Sequence, residues 1–469
     1  MNIKSIIMIL IILIAYNVSY SQEIEFLSHC VSNNTQGAIS VFSADIDNDG
    51  NLDILSASSD DNKIAWFKKI DNDNFTENII STNSIGANCV FSIDINNDGY
   101  MDVLSTSNDD NKIVLYENNG EGIFIENLIS SNANGAYSVF AIDLDSDSDI
   151  DILSASWINH KISWYENDGE ENFMEHTISS TAIGASSVFA IDIDNDNDID
   201  VISSAYLSNK ISLYQNDGSE NFEEFIVSSN AELALSVYSI DVDGDEYPDI
   251  LSASFMDNKI SWYKNNGSGN FTEHIVSTNA IGAYSVFAID LDSDSDNDIL
   301  SASWGDDKIS WYENDGEENF VEHIITLNAF GACSVYATDF DNDGDVDVFS
   351  ASDQGDKIEW YENIQENGIH EENYIYNLDF TLTNHPNPFN PSTTIEFSIQ
   401  NDSEINLSIY NIEGQKIKTL AQNEFLKGSH SITWDGNDKY GKIASSGIYY
   451  YKLIVNGKTQ AVRKCLLLK

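Results

Sequence analysis

The chain has 469 residues, 42% of them hydrophobic and 11% aromatic, with a formal net charge of −57. That apolar fraction is ample for a packed core, so the acidity does not mark a disordered chain. It does exclude nucleic acid and anionic lipid as partners, because both would be repelled.

At the N-terminus, Lys4 precedes an apolar run over 6–16, and the small residues Ser19 and Ser21 follow. This pattern predicts a secretory signal peptide over 1–21, cleaved before Gln22. The run is shorter than the roughly 20 residues a helix needs to span a bilayer. No later stretch could cross, so no transmembrane helix is expected once the signal is removed.

Residues 22–363 hold seven copies of a 49-residue unit, uninterrupted by insertions. One unit, from Gly184, reads GASSVFAIDIDNDNDIDVISSAYLSNKISLYQNDGSENFEEFIVSS. Its segments SVFAID, DVISSA, KISLYQN and FEEFIVS are rich in β-branched and aromatic residues and are separated by Asp, Asn, Gly and Ser, which predicts four strands. Four strands per repeat without helical periodicity predict an all-β fold, a seven-bladed β-propeller with 49-residue blades. The segment FLSHCVS (26–32) lies 49 residues before FTENIIS (75–81). It is therefore expected to supply the outer strand of the blade built from 334–363, closing the ring and covering two strand edges. The degenerate stretch 369–374 sits at the next offset and competes for that place. Ser56, Ser105, Ser154, Ser203, Ser252, Ser301 and Ser350 share one slot in the second strand, suited to close sheet packing. Trp66, Trp164, Trp262, Trp311 and Trp360 share another in the third, with Leu115 and Leu213 in the remaining blades that depart from it, and read as core filling.

Between the first two strands each unit carries D-x-D-x-D-x-x-x-D. The sets are Asp45, Asp47, Asp49 and Asp53; Asp94, Asn96, Asp98 and Asp102; Asp143, Asp145, Asp147 and Asp151; Asp192, Asp194, Asp196 and Asp200; Asp241, Asp243, Asp245 and Asp249; Asp290, Asp292, Asp294 and Asp298; and Asp339, Asp341, Asp343 and Asp347. Alternate residues on a tight turn can point at one hard cation, with a backbone carbonyl and water completing the shell. Four carboxylates within about 5 Å at an effective dielectric near 20 would repel by about 20 kcal/mol per loop. That exceeds the ~5–15 kcal/mol stability of a typical domain. A divalent ion resolves the conflict, and the all-oxygen set suits calcium, up to seven ions in all. An EF-hand is rejected: strands flank the loop, and Ser56 and its equivalents stand where a bidentate Glu is required. Position 6 is Gly in three loops (Gly50, Gly99, Gly344) but Ser148, Asn197, Glu246 and Ser295 in the others, which are expected to turn less readily.

Three further slots recur. His29, His176, His274 and His323 share an outer-strand position that Phe225 also fills, which excludes catalysis and predicts packing or edge hydrogen bonds. Lys63, Lys112, Lys161, Lys210, Lys259, Lys308 and Lys357 recur in every blade at the end opposite the acidic loops, and are expected to neutralise neighbouring carboxylates. At the same end, one slot is aromatic in four adjacent blades (Trp157, Tyr206, Phe255, Trp304) and polar in others (Ser59, Asn108, Asp353). Aromatics at loop tips could stack on a glycan or grip a surface protein, and they are the candidate ligand-binding residues, set against packing on the next blade. Cys30, Cys89, Cys333 and Cys465 fall at non-equivalent places and read as small buried or terminal residues rather than a disulfide framework.

The motifs GA-x-SVF, DxDxDGxxD, ILSAS and KISWYEN over 22–363 resemble the FG-GAP or VCBS-type repeats of secreted bacterial propellers, related in design to the calcium-binding blades of integrin alpha subunits. The resemblance implies a propeller and calcium but leaves function open, because such repeats serve adhesins, lectins and enzyme appendages alike.

A polar linker is expected over 364–381. From 382 to 469 the segments TTIEFSI, INLSIYNI, SHSITW and GIYYYKLIV predict a small Ig-like β-sandwich, ending in the basic and apolar RKCLLLK. HPNPFNPSTTIEFSI, LSIYNIEGQKIKTL, ITWDGND, SSGIYYYKL and KCLLLK resemble the type A sorting domain of the type IX secretion system, with Cys465 in place of the more usual Met. That resemblance implies contact with the type IX machinery, and secretion or attachment at the outer-membrane surface of a Gram-negative, Bacteroidetes-like cell.

No HExxH, GxSxG or zinc-spaced Cys and His set occurs. The expected function is a non-catalytic binding or adhesion module. The alternative is an extracellular polysaccharide-active enzyme with its site at the axial mouth of the propeller, disfavoured because no irregular insertion breaks the period.

Overall fold

The computed structural model describes residues 24–364 apart from 73 and 268, together with 382–385, 389–399, 403–411, 416–455 and 458–467. The signal segment 1–21 and the stretch 369–374 lie outside the described residues. The chain divides into two compact units, 1–367 and 368–469.

Among its described residues the first unit is all-β, with seven four-stranded antiparallel sheets. Blade 1 runs through Ala38–Ala44, Asp53–Ser58, Lys63–Asp71 and Asn74–Ser81, each strand pairing with the next, and blades 2 to 6 repeat the order. Blade 7 takes its inner three strands, Ala332–Thr338, Asp347–Ser352 and Lys357–Asn363, from the end of the array, and its outer strand, Phe26–Ser32, from the beginning. Phe26 pairs with Asn363 and His29 with Trp360, so the closure expected from the 49-residue offset is observed.

Burial follows sequence chemistry. Every residue of Asp53–Ser58 and its six equivalents is buried, and the Ser and Ala side chains of DILSAS leave room for the flanking sheets. Between blades 3 and 4, Leu144, Leu153, Ile162 and Trp164 pack on Ala185, Val188, Val201 and Tyr214, and each junction repeats this arrangement. The five repeated tryptophans are all buried, as expected of core filling. Emptying one such slot to Ala would cost about 3–5 kcal/mol.

Around the axis, one inner-strand slot gives Phe42, Phe91, Phe140, Phe189, Tyr238, Phe287 and Tyr336. Each ring touches the next, at centroid distances from 4.7 to 5.2 Å, and Tyr336 returns to Phe42. The circle has no open end.

In the second unit, strands Leu382–His385, Thr393–Ile399 and Gly428–Trp434 form one sheet, and Ser403–Asn411, Lys416–Phe425, Gly447–Val455 and Lys458–Leu467 form the other. Ile395, Phe397 and Trp434 from the first share a core with Ile405, Leu407, Ile409, Tyr451, Leu453 and Cys465 from the second, a sandwich. The basic and apolar tail is the last strand. Cys465 and Leu467 face the core while Arg463 and Lys464 are exposed. Among the described residues no helix is long and apolar enough to cross a membrane.

Candidate functional site

Each acidic loop joins an inner strand to its second strand, and hydrogen bonds to its own carboxylates hold it. In blade 1, Asp45 accepts the N–H of Asp49 at 3.0 Å and of Gly50 at 2.8 Å, and Asp49 accepts that of Asn51 at 2.9 Å. The residue at position 6 has positive φ in all seven loops: Gly50, Gly99 and Gly344, but also Ser148 (81°), Asn197 (74°), Glu246 (73°) and Ser295 (83°). The four non-glycine residues therefore make the same left-handed turn as the three glycines. Carboxylate capping of the N–H groups at the turn outweighs a left-handed penalty of about 1–2 kcal/mol.

The fourth aspartate is buried. Asp53 Oδ2 accepts the N–H of Ile46 at 3.2 Å and its Oδ1 that of Lys69 at 3.2 Å. The same double acceptance recurs at Asp102, Asp151, Asp200, Asp249, Asp298 and Asp347. Burial, which outweighs the N–H bonds, pushes these carboxyls up to between about 6 (Asp102) and about 8 (Asp298, Asp347). These seven groups bind protons readily when no metal is present.

Carboxylate oxygens of Asp45, Asp47 and Asp53 lie within 4.8 Å of one another, as do those of Asp143, Asp145 and Asp151, of Asp192, Asp194 and Asp200, of Asp241, Asp243 and Asp249, and of Asp290, Asp292 and Asp294. Oδ1 of Asp47, Asp143, Asp194, Asp243 and Asp341 is buried without a hydrogen-bond partner. An all-oxygen cluster holding buried, partnerless carboxylate oxygens fits a hard divalent cation.

The sixth residue of the KISWYEN strand also reaches the loops, a role the sequence reading missed. In blade 1, Lys68 Nζ binds Asp47 Oδ2, and Asp49 Oδ2 at 3.0 Å. In blade 5, Lys264 Nζ binds Asp243 and Glu318. In blade 4, Gln215 binds Asp194. Blade 2 has Glu117, whose carboxyl is pushed up to about 7 by burial, Glu171, Asp102 and Asp98. The glutamates of blades 3, 6 and 7 bind outer-strand histidines: Glu166 with His176 and Glu313 with His323 at 2.7 Å, Glu362 with His29 at 2.8 Å. These imidazoles lie on Trp164, Trp311 and Trp360, the packing and edge role expected of them.

The next residue ties blades together. Nδ2 of Asn118, Asn265 and Asn314 donates to the carbonyls of Ile46, Ile193 and Val242 in the preceding blade at 2.7 to 2.9 Å. At the junction of blades 7 and 1 that residue is Lys69, which reaches the carbonyl of Phe340 at 3.5 Å and lies over the Phe340 and Trp360 rings.

At the opposite end, six of the seven recurring lysines pair with carboxylates, among them Lys63 with Glu77 at 2.8 Å, Lys161 with Glu175 at 2.6 Å and Lys308 with Glu322 at 2.7 Å. The four tip aromatics are half-buried rather than free. Trp157 stacks on Tyr137 and meets Tyr206 at 4.5 Å, Phe255 meets Trp304 at 6.1 Å, and Trp304 Nε1 donates to Asp353 at 3.3 Å. The exposed apolar surface comes from the residue after the first three: Ile158 is 58% exposed, Leu207 52% and Met256 59%, while Gly305 follows Trp304, and Ile183, Ile281 and Phe330 are exposed nearby. The signal was present in the sequence, where the equivalent residues of blades 1 and 2 are Asp60 and Asp109.

Inside this arc the axis is closed. Tyr137 and Tyr284, from blades 3 and 6, share a hydroxyl hydrogen bond of 2.6 Å, and an axial pocket of about 100 Å³ is lined by inner-strand residues including Ser40, Cys89, Ser187 and Cys333. Ligand pockets run to roughly 300–1,000 Å³, so this hollow is small by comparison. Of the cysteines, all free, Cys333 and Cys465 are buried, Cys89 is half-buried and Cys30 is exposed on the N-terminal strand that closes the ring.

A family model described as FG-GAP-like repeat matches 45–105, 94–154, 143–203, 192–252, 241–301 and 290–350, and one described as FlgD Ig-like domain matches 389–458. No curated protein sequence matches the chain. Among solved structures, PorZ, an essential surface component of the type-IX secretion system of Porphyromonas gingivalis, aligns at 12% identity and a TM-score of 0.45. It covers 93% of this chain, which spans 60% of PorZ. A functionally unknown protein from Desulfotomaculum acetoxidans aligns at 11% identity and a TM-score of 0.42, covering 87% of this chain and 98% of its own.

Proposed function

The chain belongs to the FG-GAP-like repeat family, and from that premise we propose that it is an exported, calcium-stabilised propeller acting as a non-catalytic binding or adhesion module. The observation that carries the binding role is the apolar arc at the end opposite the acidic loops. Ile158, Leu207 and Met256 are each more than half exposed beside the half-buried Trp157, Tyr206, Phe255 and Trp304. Exposed apolar residues recurring at one end of adjacent blades on a chain this acidic favour a contact site there. A glycan or a protein of the cell surface would meet the arc, with the aromatics as rigid flooring and the aliphatic tips as the contact.

The test is the triple variant Ile158→Asp, Leu207→Asp, Met256→Asp, whose positions are exposed enough to leave folding intact. Binding to glycan arrays and to cells should fall at least tenfold. An unchanged signal from a folded variant rejects the arc as the contact.

Calcium would be held by the first, second and fourth aspartates of a loop with the third beside them, namely Asp143, Asp145 and Asp151 with Asp147 in blade 3. It would neutralise the loop and tie inner to second strand. Because the ion binds the folded form, millimolar calcium should raise the melting temperature and a chelator lower it. Indifference to both rejects the metal.

The C-terminal unit, 382–469, serves on this reading as a type A sorting domain that directs the chain through type IX secretion to the outer-membrane surface or beyond it, after a signal peptide over 1–21. Support comes from the HPNPFNPSTTIEFSI and KCLLLK motifs and from the tail forming the last strand of the sandwich. Deleting 463–469 in a bacterium with that system should trap the protein in the periplasm, whereas normal export of the truncated chain rejects the assignment.

A further inference from the structure

We infer that Lys68 and Lys264 occupy the cation position of the acidic loops in blades 1 and 5, so that these two loops close without a divalent ion and the metal-dependent set is the other five. The inference rests on the calcium reading above and limits its stoichiometry.

The seven loops are alike in their own aspartates and unlike in what the third strand sends to them. In blade 1 the ammonium of Lys68 bridges Asp47 and Asp49, the second and third carboxylates, of which Asp47 also belongs to the converging set of that loop. In blade 5, Lys264 reaches Asp243, whose side chain is only 7% exposed, and its other partner, Glu318, comes from blade 6. At the same slot the remaining blades carry Glu117, Glu166, Gln215, Glu313 and Glu362, and no cation. A lysine among a loop's carboxylates removes one negative charge, whereas the glutamate at that slot in blades 2, 3, 6 and 7 adds one and Gln215 in blade 4 adds none. A divalent ion entering loop 1 would have to displace the ammonium from Asp47 and Asp49, and one entering loop 5 would have to displace it from Asp243, and each would then stand next to a like charge. Lysine is well suited to this substitution, being a compact point charge on a flexible stem with donors only. The turn residues rank loop 1 differently, since Gly50 groups it with loops 2 and 7, whose position 6 is also glycine. Backbone compatibility and charge therefore disagree in blade 1, and charge decides whether an ion is needed.

The test uses the full mature chain. Calcium per chain, measured by equilibrium dialysis with elemental analysis, should be no more than five in the wild type. It should rise by one in Lys68→Gln, by one in Lys264→Gln and by two in the double variant. Seven ions in the wild type, or an unchanged count in the double variant, overturns the inference. Melting in chelator tests the lysines without calcium. There Lys68→Gln should lower the melting temperature by several degrees, because its loop loses its only counter-charge, while Glu117→Gln should raise it. If no variant binds calcium yet these two shifts appear, the calcium reading fails and the lysine assignment stands. If Lys68→Gln melts unchanged in chelator, the assignment fails whatever the metal does.

Discussion

Asn314 shows how one side chain serves two blades. Its amide donates to the Val242 carbonyl of blade 5 at 2.9 Å and to the Asn297 carbonyl of its own blade at 3.1 Å, while its oxygen accepts the N–H of Gly316. Asn314→Ala orphans two buried carbonyls, so stability should fall by about 1–3 kcal/mol, read as a lower urea midpoint with an unchanged slope. In the sequence this residue is just the Asn before Asp-Gly, a turn former. Its partner lies 72 positions earlier on another sheet, and no local pattern reports that. The aspartate spacing was legible because the loop is local, each ligand being within nine residues of the rest. Lys68 and Lys264 were not: they meet the loop across a strand pairing, and in KISWYEN their slot looks like an ordinary exposed position. The departure from Glu at that slot was the available signal.

At the scale of the strand, Phe26–Ser32 covers an edge that would otherwise be open. His29 lies on Trp360 with 4.5 Å between ring centroids, and Trp360 is fully buried. Removing 26–32 would expose that edge and wet the tryptophan, which invites pairing between chains. The truncated protein should melt well below the full chain and elute as a dimer or larger species in size-exclusion chromatography with light scattering. Monomeric behaviour at an unchanged melting temperature would contradict the closure. This element was legible because strand chemistry repeats at a fixed offset. The tip loops were half legible: their aromatic residues stood out, but they lie half-buried on one another, and the exposed apolar surface belongs to the next residue along.

For the whole molecule, seven buried carboxyls raised to about 6–8 couple the ring to pH. An unfolded aspartate titrates near 3.9, so between that value and 6–8 the metal-free native state holds more protons than the unfolded chain. Its stability must then fall as pH rises across that interval. In chelator the melting temperature should be highest near pH 4–5 and lower at pH 8, a slope that saturating calcium should flatten. A chelated protein more stable at pH 8 than at pH 5 would contradict this. The aromatic circle from Phe42 to Tyr336 has a temporal consequence as well. Chain emerging N-terminus first from a ribosome or a translocation pore can make six of the seven ring contacts in order, but the seventh, Phe42 on Tyr336, waits for the last blade, as Phe26–Ser32 waits for Lys357–Asn363. Both unions fall due together once the seventh blade is out, so every nascent stage before that keeps a sticky leading end that must be shielded or kept apart from its neighbours.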